Sequence, residues 1–258
     1  MKELFLAITF VVLLLSVSEA KPKNVVFILA DDLGWADTTL YGHTSLYETP
    51  NLERLAKRGM TFSRAYSNSP LCSPTRASIL TGQTPARHGS TAPQHHTGEV
   101  RLKPSVSKSG NPSMKALQTN SVTRLDPNLP TLGKLLQSAG YSTSHFGKWH
   151  LGDNYPLRAS DQGFQESYLH RGGGLAQPSE PIENKRRYTN PILFHNNEKI
   201  ETHGYCTDLY FEAAARFIHR SVDQEKPFFA YIATSAPHSP FHDVPEALYQ
   251  KYRAMDLS

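Results

Sequence analysis

Seven side chains in this sequence are of types that do chemistry: Asp31 and Asp32, Cys72, Arg76, Lys148, His150 and His238. Each alone has an ordinary explanation: adjacent aspartates make turns, and a single histidine is more often structural than reactive. Their placement argues otherwise. Asp31-Asp32, Lys148 with His150, and His238 each follow a short apolar run that reads as a strand. An open α/β sheet brings the carboxyl ends of its strands to one rim. Cys72 adds a separate argument. Ser73 and Pro74 start a helix, so residue 72 lies among free backbone N–H groups at the positive end of a helix dipole. That environment suits an anion and lowers a thiol's pKa. Arg76, one turn on, is on the same side and within reach of whatever occupies position 72.

The elements that must carry these residues alternate. Asn24 to Ala30 (NVVFILA) reads as a strand buried on both faces. Thr49 and Pro50 open a helix whose Leu52, Leu55 and Ala56 share a face and which Gly59 stops. Thr61 to Ser67 alternates like a strand, and the cysteine helix then runs to Gly82. From Gln83 to Asn128 no periodicity survives, which marks a long loop region near the site. Pro130 opens a helix with Leu132, Leu135 and Leu136 facing inward, closed by Gly140. Tyr141 to Phe146 is a strand leading to Lys148 and His150. After a second irregular region, Thr207 to Val222 is an amphipathic helix and Pro227 to Thr234 a buried strand delivering His238. The expected fold is α/β, a mostly parallel central sheet with helices on both faces.

The chain has 258 residues, 38% hydrophobic and 19% charged, a globular composition. Its formal net charge of +4 is a mild excess, and no Lys/Arg run interleaves with aromatics, so no nucleic-acid partner is expected. Lys2 precedes an apolar run from Leu4 to Val17, with small residues Ser18 and Ala20 after it. The run is shorter than the ~20 residues of a membrane span. It fits a secretory signal over residues 1–20, removed from an exported, periplasmic or secreted protein with no stable membrane insertion. The only cysteines, Cys72 and Cys206, do not make a disulfide framework.

Cys72-Ser73-Pro74-Thr75-Arg76, extended to Thr81-Gly82, resembles the signature of the type I sulfatases of the alkaline phosphatase superfamily. The second signature of that family is matched by Gly140 to His150 (GYSTSHFGKWH), with Phe146 bulkier than is usual there. The opening NVVFILADDLGWAD and the TPNLERLA segment are also similar, so the likeness runs from about Lys23 to Phe241.

The resemblance implies a sulfuric ester hydrolase whose cysteine is oxidised after translation to Cα-formylglycine by a maturation enzyme reading Cys72, Pro74 and Arg76. It implies Asp31, Asp32 and residue 72 as metal ligands. Carboxylate oxygens suit Ca²⁺, or less often Mg²⁺. Arg76 would hold the formylglycine hydroxyl, Lys148 a sulfate oxygen, and His150 the diol as base. His238 would bind sulfate and protonate the leaving oxygen. His145 and His242 read as structural or rim residues. The substrate would be a sulfate ester, sulfated polysaccharide among the options.

Family members run to roughly twice this length, with a second pair of metal ligands and a second lysine beyond the matched region. Residues 21–258 are therefore expected to be the N-terminal portion of a catalytic domain, with weak metal binding and little activity alone. The rival readings are a phosphate or phosphonate monoester hydrolase of the same superfamily, an inactive sulfated-glycan-binding fragment, and a thiol enzyme using unmodified Cys72.

Overall fold

The computed structural model describes residues 21–110, 112–117 and 119–255. The expected signal segment, 1–20, lies outside the described residues. Among those described, no helix is long and apolar enough to cross a membrane.

The strands are β1 (Val25–Asp31), β2 (Ser105–Val106), β3 (Thr119–Asn120), β4 (Ser142–Lys148), β5 (Glu166–His170), β6 (Ile192–His195), β7 (Glu198–Glu201) and β8 (Phe228–Pro237). The helices are α1 (Pro50–Ala56), α2 (Cys72–Thr81), α3 (Pro85–His88), α4 (Leu132–Ser138), α5 (Cys206–Asp223) and α6 (Glu246–Arg253). Six strands form one sheet in the order β1-β8-β4-β5-β6-β7. The pairs β1·β8, β8·β4 and β4·β5 are parallel. β6 and β7 extend the sheet as an antiparallel hairpin, while β2 and β3 pair separately.

The period-2 pattern of the central strands divides the core. Phe228, Ala230 and Ile232 of β8 and Phe146 of β4 face α5, where Tyr210, Ala213, Ala214 and Phe217 lie one helical turn apart. Phe229, Tyr231 and Ala233 face the opposite way, onto Ala77 and Leu80 of α2, with Trp149, Phe164 and the partly buried Leu132 and Leu136 of α4. Burying a large apolar side chain contributes about 1.5–3 kcal/mol, so these two clusters clamp the central strands from both sides. Helices on both faces of an α/β sheet is the architecture expected from the alternation of elements.

Several local expectations are corrected. β1 is not buried on both faces: it is an edge strand, and Val26 and Ile28 are 48% and 53% exposed. A continuous apolar run marks a strand without saying which side is covered. Leu52 and Leu55 of α1 and Leu135 of α4 are likewise exposed. Thr49 precedes α1, but its hydroxyl bonds the Thr39 hydroxyl at 2.7 Å and makes no helix cap. Thr61–Ser67 is no strand, because alternation without a neighbour to pair with does not make a ladder. The region after His150, read as irregular, contains β5 to β7, whose short segments carry too few apolar residues to show a period.

Candidate active site

The site forms where β1, β4 and β8 end beside the start of α2. Gly147 lets β4 reach it. Its φ is +98°, and a Cβ there would fall 2.0 Å from the Ala233 carbonyl oxygen of β8. The backbones meet at a distance only glycine permits, one residue before Lys148. The β1–β8 ladder is also irregular: Leu29 pairs with Ala233, but Asp31 pairs with Pro237. The extra residues of β8 bulge, and this carries His238 to the end of β1 beside Asp31.

Asp31 is the hub. One carboxylate oxygen accepts from Arg76 Nη2 at 2.8 Å and the other from Lys148 Nζ at 2.5 Å. Arg76 also donates from Nη1 to the Lys148 carbonyl at 2.8 Å. All three residues are nearly inaccessible to water. Burial opposes the Asp31 carboxylate, but Arg76 and Lys148 outweigh it and hold the group below its ordinary pKa. Burial, reinforced by Arg76, lowers the Lys148 pKa against the pull of Asp31. The guanidinium therefore serves Asp31 and the β4 backbone; no side-chain hydrogen bond joins it to Cys72 among the described residues.

Cys72 is the first residue of α2 and is half-buried. Burial opposes its thiolate, yet a hydrogen bond with His238 and the charges of Lys148 and Arg76 bring its pKa below the usual thiol value. The same hydrogen bond pushes the His238 pKa up to about 9. His238 Nδ1 donates to the Ser239 carbonyl at 2.6 Å, and its Nε2 lies 3.5 Å from an Asp32 oxygen. The surroundings of residue 72 thus hold three cationic groups, an arrangement made for an oxyanion.

Candidate ligand atoms of Asp31, Cys72 and His238 all lie within 4.8 Å of one another. Asp32, with φ +63°, is more open and joins Asp31, Cys72 and Arg76 in lining a cleft of about 480 Å³. In type, two carboxylates on one cleft fit a hard cation such as Ca²⁺. In number they fall short of its usual six to eight oxygens, and Asp31 already holds two cationic partners.

His150 lies beyond Lys148, with φ +53° and its ring 2% exposed. Its carbonyl accepts from Ser73 Oγ at 2.9 Å, which ties the strand end to α2. The expected site residues therefore gather in one place, Asp32 at its rim. His145 is structural: fully buried, it packs edge-on against Trp149, Phe164 and Tyr231, and burial lowers its pKa to about 3. Sequence reasoning missed His96, His170 and the Gly172–Gly174 loop. His170 sits in register with Lys148 on the unrecognised β5, its Nδ1 2.8 Å from the Tyr210 hydroxyl. His96 comes from the long loop, which offered no signal beyond its length.

That glycine loop is held by Glu180, which accepts from the Gly172 N–H and whose other oxygen is buried without a hydrogen-bond partner among the described residues. Burial outweighs those bonds and the Arg171 charge and pushes its pKa up to about 7, from an ordinary 4.5. The folded chain thus keeps a proton that the unfolded chain has lost. Stability should fall by about 3 kcal/mol as pH rises from about 4.5 to about 7. Urea unfolding across that range should show a flatter profile in Glu180→Gln. Parallel profiles for the two proteins would contradict it.

A larger cavity, about 1020 Å³, opens beside the cleft and shares Asp32 with it. His238, Tyr47, Tyr188, Phe241 and Tyr252 are among its lining residues.

The family model named Sulfatase matches residues 23–256. N-acetylgalactosamine-6-sulfatase of Rattus norvegicus is 32% identical over 252 residues, 93% of this chain and 44% of that one. The crystal structure of Ps i-CgsB in complex with k-i-k-neocarrahexaose superposes with a TM-score of 0.73 at 28% identity, covering 92% of this chain and 50% of that one. The structure of BT4656 in complex with D-glucosamine-2-N,6-O-disulfate gives a TM-score of 0.62 at 28% identity, over 84% and 35%. The chain spans less than half the length of the curated relative.

Proposed function

Since the chain belongs to the sulfatase family, we propose that it carries the formylglycine half of a sulfate monoester hydrolase site. The observation that supports this best is the meeting of Asp31, Cys72, Arg76, Lys148 and His238 at the end of β1, where Asp31, Cys72 and Arg76 line the cleft, Lys148 is paired to Asp31 behind it, and His238 borders the larger cavity. Cys72 is the precursor of formylglycine, whose hydrated aldehyde supplies an oxygen nucleophile toward sulfur. Ser73, Pro74 and Arg76 are buried in the folded chain, so a maturation enzyme reading this motif acts before folding is complete. Asp31 and Asp32, with residue 72, would hold Ca²⁺ or Mg²⁺, which supplies Lewis acidity at the ester.

The protein's own groups do the rest. Lys148 and Arg76 set a positive field at the bottom of the cleft and favour the charge gathering on the sulfuryl oxygens. His238, between Cys72 and the larger cavity, holds a proton at Nε2 to give to the departing oxygen. The alcohol portion lies in that aromatic-lined cavity, whose rings suit the C–H faces of a sugar and so favour a sulfated saccharide.

The test is the mass of the tryptic peptide Ala65–Arg76 from a host that matures sulfatases, together with hydrolysis of matched sulfate and phosphate esters. An aldehyde at residue 72 and preference for sulfate are expected. An unmodified thiol would remove the formylglycine reading, and preference for the phosphate ester would favour the monoester hydrolase of other chemistry.

A further inference from the structure

His150 is held by contacts that none of its own sequence neighbourhood foretells. Its ring rests on Gly173, where a Cβ would fall 2.5 Å from Cε1. Its backbone N–H donates to the Arg171 carbonyl at 2.9 Å. On its other side the His96 ring stacks at 5.6 Å between centroids and 28° between planes. His96 Nδ1 lies 3.3 Å from His150 Nε2. The remaining nitrogen, His150 Nδ1, is buried and has no partner among the described residues.

Both rings are kept neutral. Burial lowers the His150 pKa well below the ordinary value, with help from Lys148, His95 and Arg76. Burial, Arg124 and Lys148 lower that of His96. A neutral imidazole carries one N–H and one lone pair. One of the facing nitrogens must therefore donate and the other accept. If His96 Nδ1 donated, His150 would keep its N–H on Nδ1, buried without an acceptor and set in the field of Lys148 and Arg76. If His150 Nε2 donates, Nδ1 carries a lone pair in that positive field, the arrangement electrostatics favours.

We propose that His96 is a positioning residue that fixes His150 in its Nε2–H tautomer, so that Nδ1 is the proton acceptor of the site. The catalytic part of this rests on the sulfatase reading; the tautomer does not. The neighbour of a reacting histidine commonly sets its tautomer in this way, through the hydrogen bond at the other nitrogen. Among the described residues His96 has no hydrogen bond to Asp31, Cys72 or His238 and acts only through His150.

The experiment is ¹⁵N NMR of the histidine-labelled chain, with the His150 signals assigned by their loss in His150→Gln. In the wild-type protein Nδ1 should be unprotonated and Nε2 protonated. His96→Ala should release the preference, and His96→Asn, whose amide oxygen can take the place of Nδ1 as acceptor, should restore it. Turnover of a sulfate ester should fall about 10–100-fold in kcat for His96→Ala, with KM little changed, and recover in His96→Asn. A protonated Nδ1 in the wild type overturns the proposal, and this arm needs no variant to fold. So does a tautomer ratio unmoved by His96→Ala. Spectra as expected in a chain that hydrolyses no sulfate ester uphold the tautomer and remove the sulfatase reading instead.

Discussion

On the proposed formylglycine mechanism, replacing Cys72 by alanine should lower whatever sulfate-ester turnover the protein has by at least about 10⁴-fold, the scale on which loss of a covalent nucleophile is felt. The fold should survive, because the side chain is small and half-buried at the first turn of α2, and its loss opens no cavity in either core cluster. Cys72→Ser should behave differently. A serine hydroxyl can attack sulfur once, but it has no second oxygen on the same carbon with which to expel sulfate. Rapid-quench kinetics should therefore show one burst of alcohol near the enzyme concentration, followed by turnover close to that of Cys72→Ala. A Cys72→Ala protein retaining turnover within tenfold of wild type would end the nucleophile assignment. The same variant has a reading independent of activity. The thiolate is the largest cause of the raised His238 pKa, so without it His238 should titrate well below about 9. In the unmodified wild type, the linked contribution to stability is present below pH 6.5 and is lost as pH rises through about 9. In Cys72→Ala that loss should vanish from the alkaline side of the stability profile.

The residues to which the chemistry is assigned were legible because they follow strands with strong local signals. NVVFILA ends at Asp31, and PFFAYIAT ends near His238. The cysteine helix was equally plain, from Pro74 at its first turn to Gly82, whose φ of +66° caps its end. What the sequence withheld was supplied by tertiary contact. Nothing local says that β8 bulges after Ala233, yet that bulge sets the distance between His238 and Asp31. Nothing local distinguishes Gly147 from a flexible turn glycine, yet it admits the closest backbone approach in the site. His96 lies 54 residues from His150, in a stretch with no periodicity. β1 read as buried because its composition is that of a central strand, while whether a face is covered depends on elements far away in sequence. Arg76 was expected to serve residue 72 through helical spacing. Its guanidinium reaches past that position to a carboxylate on another strand, a partner that i to i+4 geometry cannot name.

The buried triad gives the largest stability effect. Asp31 carries one negative charge between Arg76 and Lys148, which are 2% and 0% exposed. Asp31→Asn keeps the shape and removes the charge, leaving two buried cations with no anion between them. Breaking a buried pair in this way costs about 3–5 kcal/mol, most of it the uncompensated charge left behind. The pH dependence distinguishes this cause from a packing defect. In the wild type the Asp31 contribution is present above the unfolded aspartate pKa of 3.8, and is lost as pH falls through its lower folded value. In Asp31→Asn that acid-side loss disappears. Lys148, already lowered by burial and by Arg76, loses the Asp31 charge and hydrogen bond that raised it and keeps only the smaller pull of Cys72, so its pKa falls further. A lysine that binds its proton less tightly when folded makes stability rise with pH, from its folded pKa up to 10.5. The deficit of Asp31→Asn should therefore be largest around neutral pH, shrinking in strong acid, where the wild type loses the Asp31 contribution, and again in alkali. Adding Lys148→Met should recover part of it at neutral pH, because one uncompensated charge is replaced by an apolar side chain of similar length. The double-mutant cycle should accordingly show strong coupling between positions 31 and 148. Urea unfolding in chelator, with no metal to replace the lost charge balance, measures all four proteins. Additive losses, or an Asp31→Asn deficit independent of pH, would mean that the three side chains meet without depending on one another's charge.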